Sequence, residues 1–138
     1  MAHVNWGRVA LAIIAAAVAG SITDWIFFGM LFHDKYLVHP EVWKKREGEG
    51  GEGKKIALSS LVGLFSTVVF IVLCVGLFAA SYSGALKLAV AIWLIASVPM
   101  IANEHLFMKL HPALFVSHSL GWLARFCLAA AAYMIIVR

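Results

Sequence analysis

The chain has 138 residues, the length of a single domain. Apolar residues make up 63% and charged residues 13%, against roughly half and a quarter in a globular domain. That balance excludes a soluble core of this size and leaves an integral membrane protein. The net charge of +4 does not call for a nucleic-acid partner, because the basic residues gather beside apolar runs, where membrane topology explains them.

Four apolar runs cover residues 4–32, 56–80, 85–107 and 113–137. Each reaches the approximately 20 residues that a helix needs to cross hydrocarbon about 30 Å thick. None has the short alternating pattern of a barrel strand. The expected fold is therefore all-α, a single polytopic domain built as a four-helix transmembrane bundle. The first run has no small-residue cleavage site after a short apolar region, so it is expected to stay as a span. Cys74 and Cys127 each lie inside an apolar run with no CxxC spacing. They read as small packing residues.

The first span carries Ala12, Ala16, Gly20 and Asp24 at intervals of four. Small residues so spaced form a groove in which a second helix backbone can approach closely. Here the groove runs into a carboxylate. Residues 33–55 are the one long polar segment. His39-Pro40-Glu41 resembles a helix start, since proline suits the first turn and glutamate the positive helix end. A short interfacial helix is predicted there, with Tyr36 and Trp43 at headgroup depth. Residues 47–53 alternate glutamate and glycine and read as a flexible acidic linker.

The second span opens with Ser59, Ser60, Gly63, Ser66 and Thr67. Such hydroxyls either bond the carbonyl one turn back or line a polar cavity. Ser81-Tyr82-Ser83-Gly84 reads as a tight turn that makes spans two and three antiparallel neighbours. In the third span, Pro99 deprives a carbonyl one turn earlier of its donor and is expected to kink the helix. The span ends in Asn103-Glu104-His105, and a His111-Pro112 start opens the fourth. His111, His118 and Arg125 follow at intervals of seven, on nearly one helix face. The two halves show no internal repeat, so an inverted-repeat transporter is not indicated.

Lys35, Lys44, Lys45, Arg46, Lys54, Lys55 and Lys109 lie in or beside the 33–55 and 108–112 segments, whereas Arg8, Lys87 and Arg138 mark the opposite side. The positive-inside rule then puts the long loop in the cytoplasm and both termini outside. At 1.5 Å per residue, Asp24 lies roughly 12 Å and Arg125 roughly 18 Å from the cytoplasmic helix ends. A guanidinium in hydrocarbon costs roughly 2.5–3.5 kcal/mol on insertion scales and needs a partner. An arginine can also shift its charge several Å along its stem. Asp24 and Arg125 are therefore expected to meet if the first and fourth spans are adjacent.

The polar-pocket candidates are Asp24, Arg125, His118, Glu104, Asn103, Ser66 and Thr67, all toward the cytoplasmic side. Two accounts stay open: a structural ion pair that sets helix register, or a cytoplasm-facing cavity for a polar headgroup, small molecule or proton. Metal ligation would draw on His33, His111 and His118, but no HExxH or paired CxxC is present. His111 and His118 stand about 10 Å apart on one helix. Bis-histidine haem ligation would need His105 and His118 at matched depth, and both are shallow. No serine elbow or triad marks a catalytic centre. Neither a cofactor nor a catalytic residue is assigned.

Several of these stretches carry a likeness to a known family. Residues 20–36 and 93–121, in particular Trp93-Leu94, Pro99, Asn103, Leu106-Phe107, Pro112 and 119–121, resemble a bacterial membrane family known as domain of unknown function 1761. The family's first span usually reads Trp-Tyr-Ser-Pro ahead of Phe-Gly-Lys, where this chain has Trp25-Ile26-Phe27-Phe28 and Phe32-His33-Asp34. The resemblance implies the four-span layout and no established activity. The expected role is a binding or transport-accessory protein of a bacterial inner membrane, acting on a small or lipid-like ligand. The alternatives are a subunit of a larger membrane complex and, third, a membrane enzyme on a lipid-soluble substrate. The expected partners are the bilayer and either another membrane protein or a second copy of the chain.

Overall fold

The computed structural model describes residues 4–38, 52–77, 79, 81–108 and 111–138. Among these residues six α-helices and two π-helical turns form in chain order: α1 (Trp6–Ile26), a π-turn (Phe27–Leu31), α2 (His33–Val38), α3 (Glu52–Gly76), α4 (Tyr82–Ile92), a second π-turn (Trp93–Ser97), α5 (Val98–Phe107) and α6 (Pro112–Ile136). No strand occurs among the described residues. Four continuous helical units, of 26, 24, 26 and 25 residues, are long and apolar enough to cross a membrane. At 1.5 Å per residue each exceeds the hydrocarbon thickness with room to tilt. The chain is a multi-pass membrane protein.

Side chains close the starts of α1, α4 and α6. The Asn5 side chain accepts from the Arg8 amide at 3.2 Å, and Ser81 Oγ accepts from the Gly84 amide at 3.1 Å. These bonds satisfy amides that have no partner inside their own helices. The predicted His111-Pro112 start forms, with His111 Nδ1 accepting from the Ala113 amide at 3.1 Å and the proline in the first turn. Ser81 is thus a cap, and Tyr82, Ser83 and Gly84 already belong to α4. Glu52 and Gly53, expected in the linker, begin α3. Lys54 and Lys55 follow them at once, so the helix continues outward past its apolar run. The helix start predicted at His39-Pro40-Glu41, with Trp43, and most of the 47–53 linker lie outside the described residues.

The turn ahead of Pro99 departs from α-helical geometry. The proline cannot donate to the Ile95 carbonyl, and its ring crowds that group. The turn before it widens, and the Val98 amide reaches back to Trp93 O in place of Leu94 O. The register shift leaves the Trp93 indole against α6, where Nε1 donates to Ser119 O at 2.8 Å.

Helix α6 is the hub. It packs along α1, against α4 and α5, and against α3. Its buried residues occur on several sides: Leu114, Ser117, Ser119, Gly121, Arg125, Phe126, Ala129, Ala130, Tyr133 and Met134. Spans two and three make only slight contact with each other. Expected as antiparallel neighbours, both instead pack mainly on other spans, α4 on α6 and α3 on α1 and α6. On α1 the buried positions are Val9, Ala12, Ala16 and Gly20, the predicted small-residue groove. The core continues through Phe70, Ile71 and Cys74 of α3 and Ala85 and Ala89 of α4, with Phe70 and Phe126 rings 5.5 Å apart. In lipid such a core is held by close packing and not by exclusion of water, because acyl chains are as apolar as leucine.

Candidate functional site

Arg125 sits 4% exposed on α6, and its guanidinium Nη2 donates to a carboxylate oxygen of Asp24 on α1, which is 30% exposed. The pairing is made possible by two glycines. A Cβ on Gly20 of α1 would lie 2.9 Å from Arg125 Nη1, and one on Gly63 of α3 would lie 2.5 Å from the same atom. The guanidinium is therefore sandwiched between two bare backbones, at a place any side chain would fill. Trp122, one position along the helix face, puts its ring 5.7 Å from the guanidinium carbon, within cation–π reach.

One acceptor does not exhaust this side chain. A guanidinium carries five N–H donors, and among the described residues Asp24 is the acceptor that Arg125 meets. The group borders a cleft of about 130 Å³ between α1, α3 and α6, lined by Asp24, Phe28, Ser59, Val62, Gly63, His118, Gly121, Trp122 and Arg125. Its lining comes from the end of α1, the first half of α3 and the stretch of α6 from His118 to its middle, hence from the half of the bundle nearer the 33–55 segment. The first π-turn supplies one wall. The ring of Phe28 lies 4.9 Å from that of His118, and a Cβ on Gly121 would touch Phe28 Cζ at 3.5 Å.

The candidates from the sequence divide accordingly. Asp24, Arg125 and His118 are brought together. Ser66 and Thr67 are not part of the lining: Ser66 Oγ donates to Val62 O at 3.1 Å and Thr67 Oγ1 to Gly63 O at 2.9 Å. Of the two readings open for these hydroxyls, bonding to the preceding turn is the one realised. Ser59, one residue of the same polar run, lines the cleft in their place. Glu104 lies near enough to His118 to act on it electrostatically, as does Asp24, but it stands outside the lining, and Asn103 is exposed. His111 serves as the cap of α6, the His105 ring lies 5.7 Å from that of Phe115, and His33 is exposed at the start of α2. Among the described residues no three histidine, cysteine or acidic side chains group as a metal site. The lining residues that were not among the sequence candidates are Phe28, Ser59, Val62, Gly63, Gly121 and Trp122, and Gly63, Gly121 and Phe28 carried the least visible signal. Their signal was the absence or flatness of a side chain, which acquires meaning only once a neighbour is known.

Chemically the cleft offers hydrogen-bond donors from a guanidinium, an acceptor from Asp24, a histidine and a hydroxyl, between two aromatic walls. Residues 11–134 match the model of a family described as protein of unknown function (DUF1761). No curated protein and no solved structure matches the chain.

Proposed function

The chain belongs to the DUF1761 family, whose description carries no activity, and from that premise we propose a membrane-embedded binding or transport-accessory role. The loop-end cleft takes the polar part of a small or lipid-like ligand. The observation behind this reading is Arg125, a nearly fully buried cation that bonds Asp24 alone among the described residues and borders an open cleft. Ionisable groups inside a membrane segment are expensive and are kept where they pair or act. A purely structural pair needs no cleft beside it.

The size of the cleft limits the ligand. Sites for drug-sized molecules measure roughly 300–1,000 Å³, so about 130 Å³ accommodates a head of a few heavy atoms. The distribution of Lys35, Lys44, Lys45, Arg46, Lys54, Lys55 and Lys109 supports an orientation with this end in the cytoplasm and both termini outside, in a bacterial inner membrane.

The test is native mass spectrometry of the full chain released in mild detergent, wild type beside Val62→Trp, which fills the cleft from its α3 side. A small adduct present on the wild type and lost from the variant is the expected result. A companion chain at fixed ratio, with no small adduct on either protein, would replace this reading with the subunit of a larger complex.

A further inference from the structure

The charges around the cleft define the chemistry of its occupant. Arg125 contributes one cation and Asp24 one anion, already paired. His118 lies within electrostatic reach of Asp24 on α1 and Glu104 on α5, with Phe28 against its ring. With the carboxylates ionised, these four groups carry no net positive charge in either state of His118. Among these four groups an anionic head would therefore find no uncompensated cation, and its desolvation would count against it. A cationic head would meet the guanidinium itself. An uncharged head with an acceptor oxygen meets neither penalty and satisfies donors that Asp24 leaves open.

The position of the cleft bears on the rest of the ligand. Val62, in its lining, is 53% exposed, and Leu58 and Phe65 on the same helix are 63% and 69% exposed. One lip of the cleft thus opens directly onto the apolar outer face of α3, where an acyl chain can lie while the head reaches Arg125. We infer that the cleft takes an uncharged, oxygen-bearing head, an alcohol, ester or protonated carboxylic acid, docked through its oxygen on the Arg125 guanidinium, and discriminates against phosphate. This rests on the binding role proposed for the cleft.

The test uses the full-length protein in mild detergent and measures Tm against increasing monooleoylglycerol, its phosphate monoester, free glycerol and inorganic phosphate. Each titration is repeated on Val62→Trp and on Gly121→Ala, whose added methyl stays in ordinary contact with Phe28. Monooleoylglycerol is expected to raise Tm in the wild type, with affinity at least about tenfold above its phosphate ester, and to lose this effect in the variants. A variant-sensitive rise with free glycerol as well supports the same head chemistry with a water-soluble source. A variant-sensitive rise that is larger for the phosphate ester or for inorganic phosphate overturns the inference and leaves the binding role standing. If no probe produces a rise that the variants remove, both fall.

Discussion

Arg125 is buried more deeply than its partner, and that asymmetry sets what each substitution does. Removing Asp24 strands a guanidinium that is 4% exposed, and breaking a buried pair from one side costs about 3–5 kcal/mol. Removing Arg125 leaves a carboxylate that is 30% exposed and can be hydrated or protonated. Asp24→Leu is therefore expected to lower detergent-solubilised stability more than Arg125→Leu, and the double substitution less than Asp24→Leu alone. Thermal unfolding of the three variants checks the order. If Arg125→Leu proves the worst, the cation is contributing more than its pairing. The glycines make a second, steric ranking. A methyl at position 63 would stand 2.5 Å from Arg125 Nη1, at position 20 it would stand 2.9 Å away, and at position 121 it would be 3.5 Å from Phe28. The guanidinium could swing away from either of the first two, but only by leaving Asp24. Gly63→Ala is expected to destabilise most, by about 1–3 kcal/mol as overpacked cores do, Gly20→Ala less, and Gly121→Ala least. Equal Tm values for the three would mean that the guanidinium is not confined.

At the level of the element, the two π-turns change what the helices present. Phe27–Leu31 places Phe28 over His118, and Trp93–Ser97 leads Trp93 to the Ser119 carbonyl of α6. A π-turn adds one residue to the helical register and re-aims the side chains around it. Helix periodicity read along residues 85–107 cannot anticipate this, because it assumes one register throughout. Pro99 was the visible sign of an irregularity. Its outcome, an indole bonded across to α6, depended on the neighbour. Interhelical hydrogen bonds in membranes average about 0.6 kcal/mol, with a maximum near 1.7. Trp93→Phe keeps the aromatic bulk and removes the donor, so its loss of stability is expected to fall within that range. A loss several times larger would show that the ring's packing, and not its N–H, holds the third span in place.

For the whole molecule, the chain crosses four times with α6 as the shared neighbour of every other span. The large apolar residues left outside, among them Leu11, Ile14, Val18, Leu61, Phe65 and Ile95, face outward as a lipid-bathed surface requires. Four passes put both termini on one side, and the proposed orientation, read from the excess of lysine around 33–55, has that segment in the cytoplasm. Gly50→Cys and Arg138→Cys should therefore react from opposite faces with a membrane-impermeant maleimide. The first is expected to be labelled in inverted vesicles and the second in intact cells. Labelling of both from one face would refute four passes, and the reverse pattern would invert the orientation.

The sequence by itself determined the number of spans and their approximate limits, since a stretch must be long and apolar to cross hydrocarbon whatever its neighbours are. It also made Asp24 and Arg125 candidate partners, since a lone ion in hydrocarbon needs a counter-charge and the arginine stem can bridge their difference in depth, but the adjacency of the first and fourth spans that the pair requires came from the tertiary structure. The tertiary structure alone decided which hydroxyl faces the cleft, Ser59 in place of Ser66 and Thr67. It decided too that α3 and α4 would part company across α6, and that Gly20 and Gly63 would enclose a guanidinium. Those outcomes depend on how one helix is rotated against another. In a bilayer many rotations bury similar apolar area, and close packing around a few small residues selects among them.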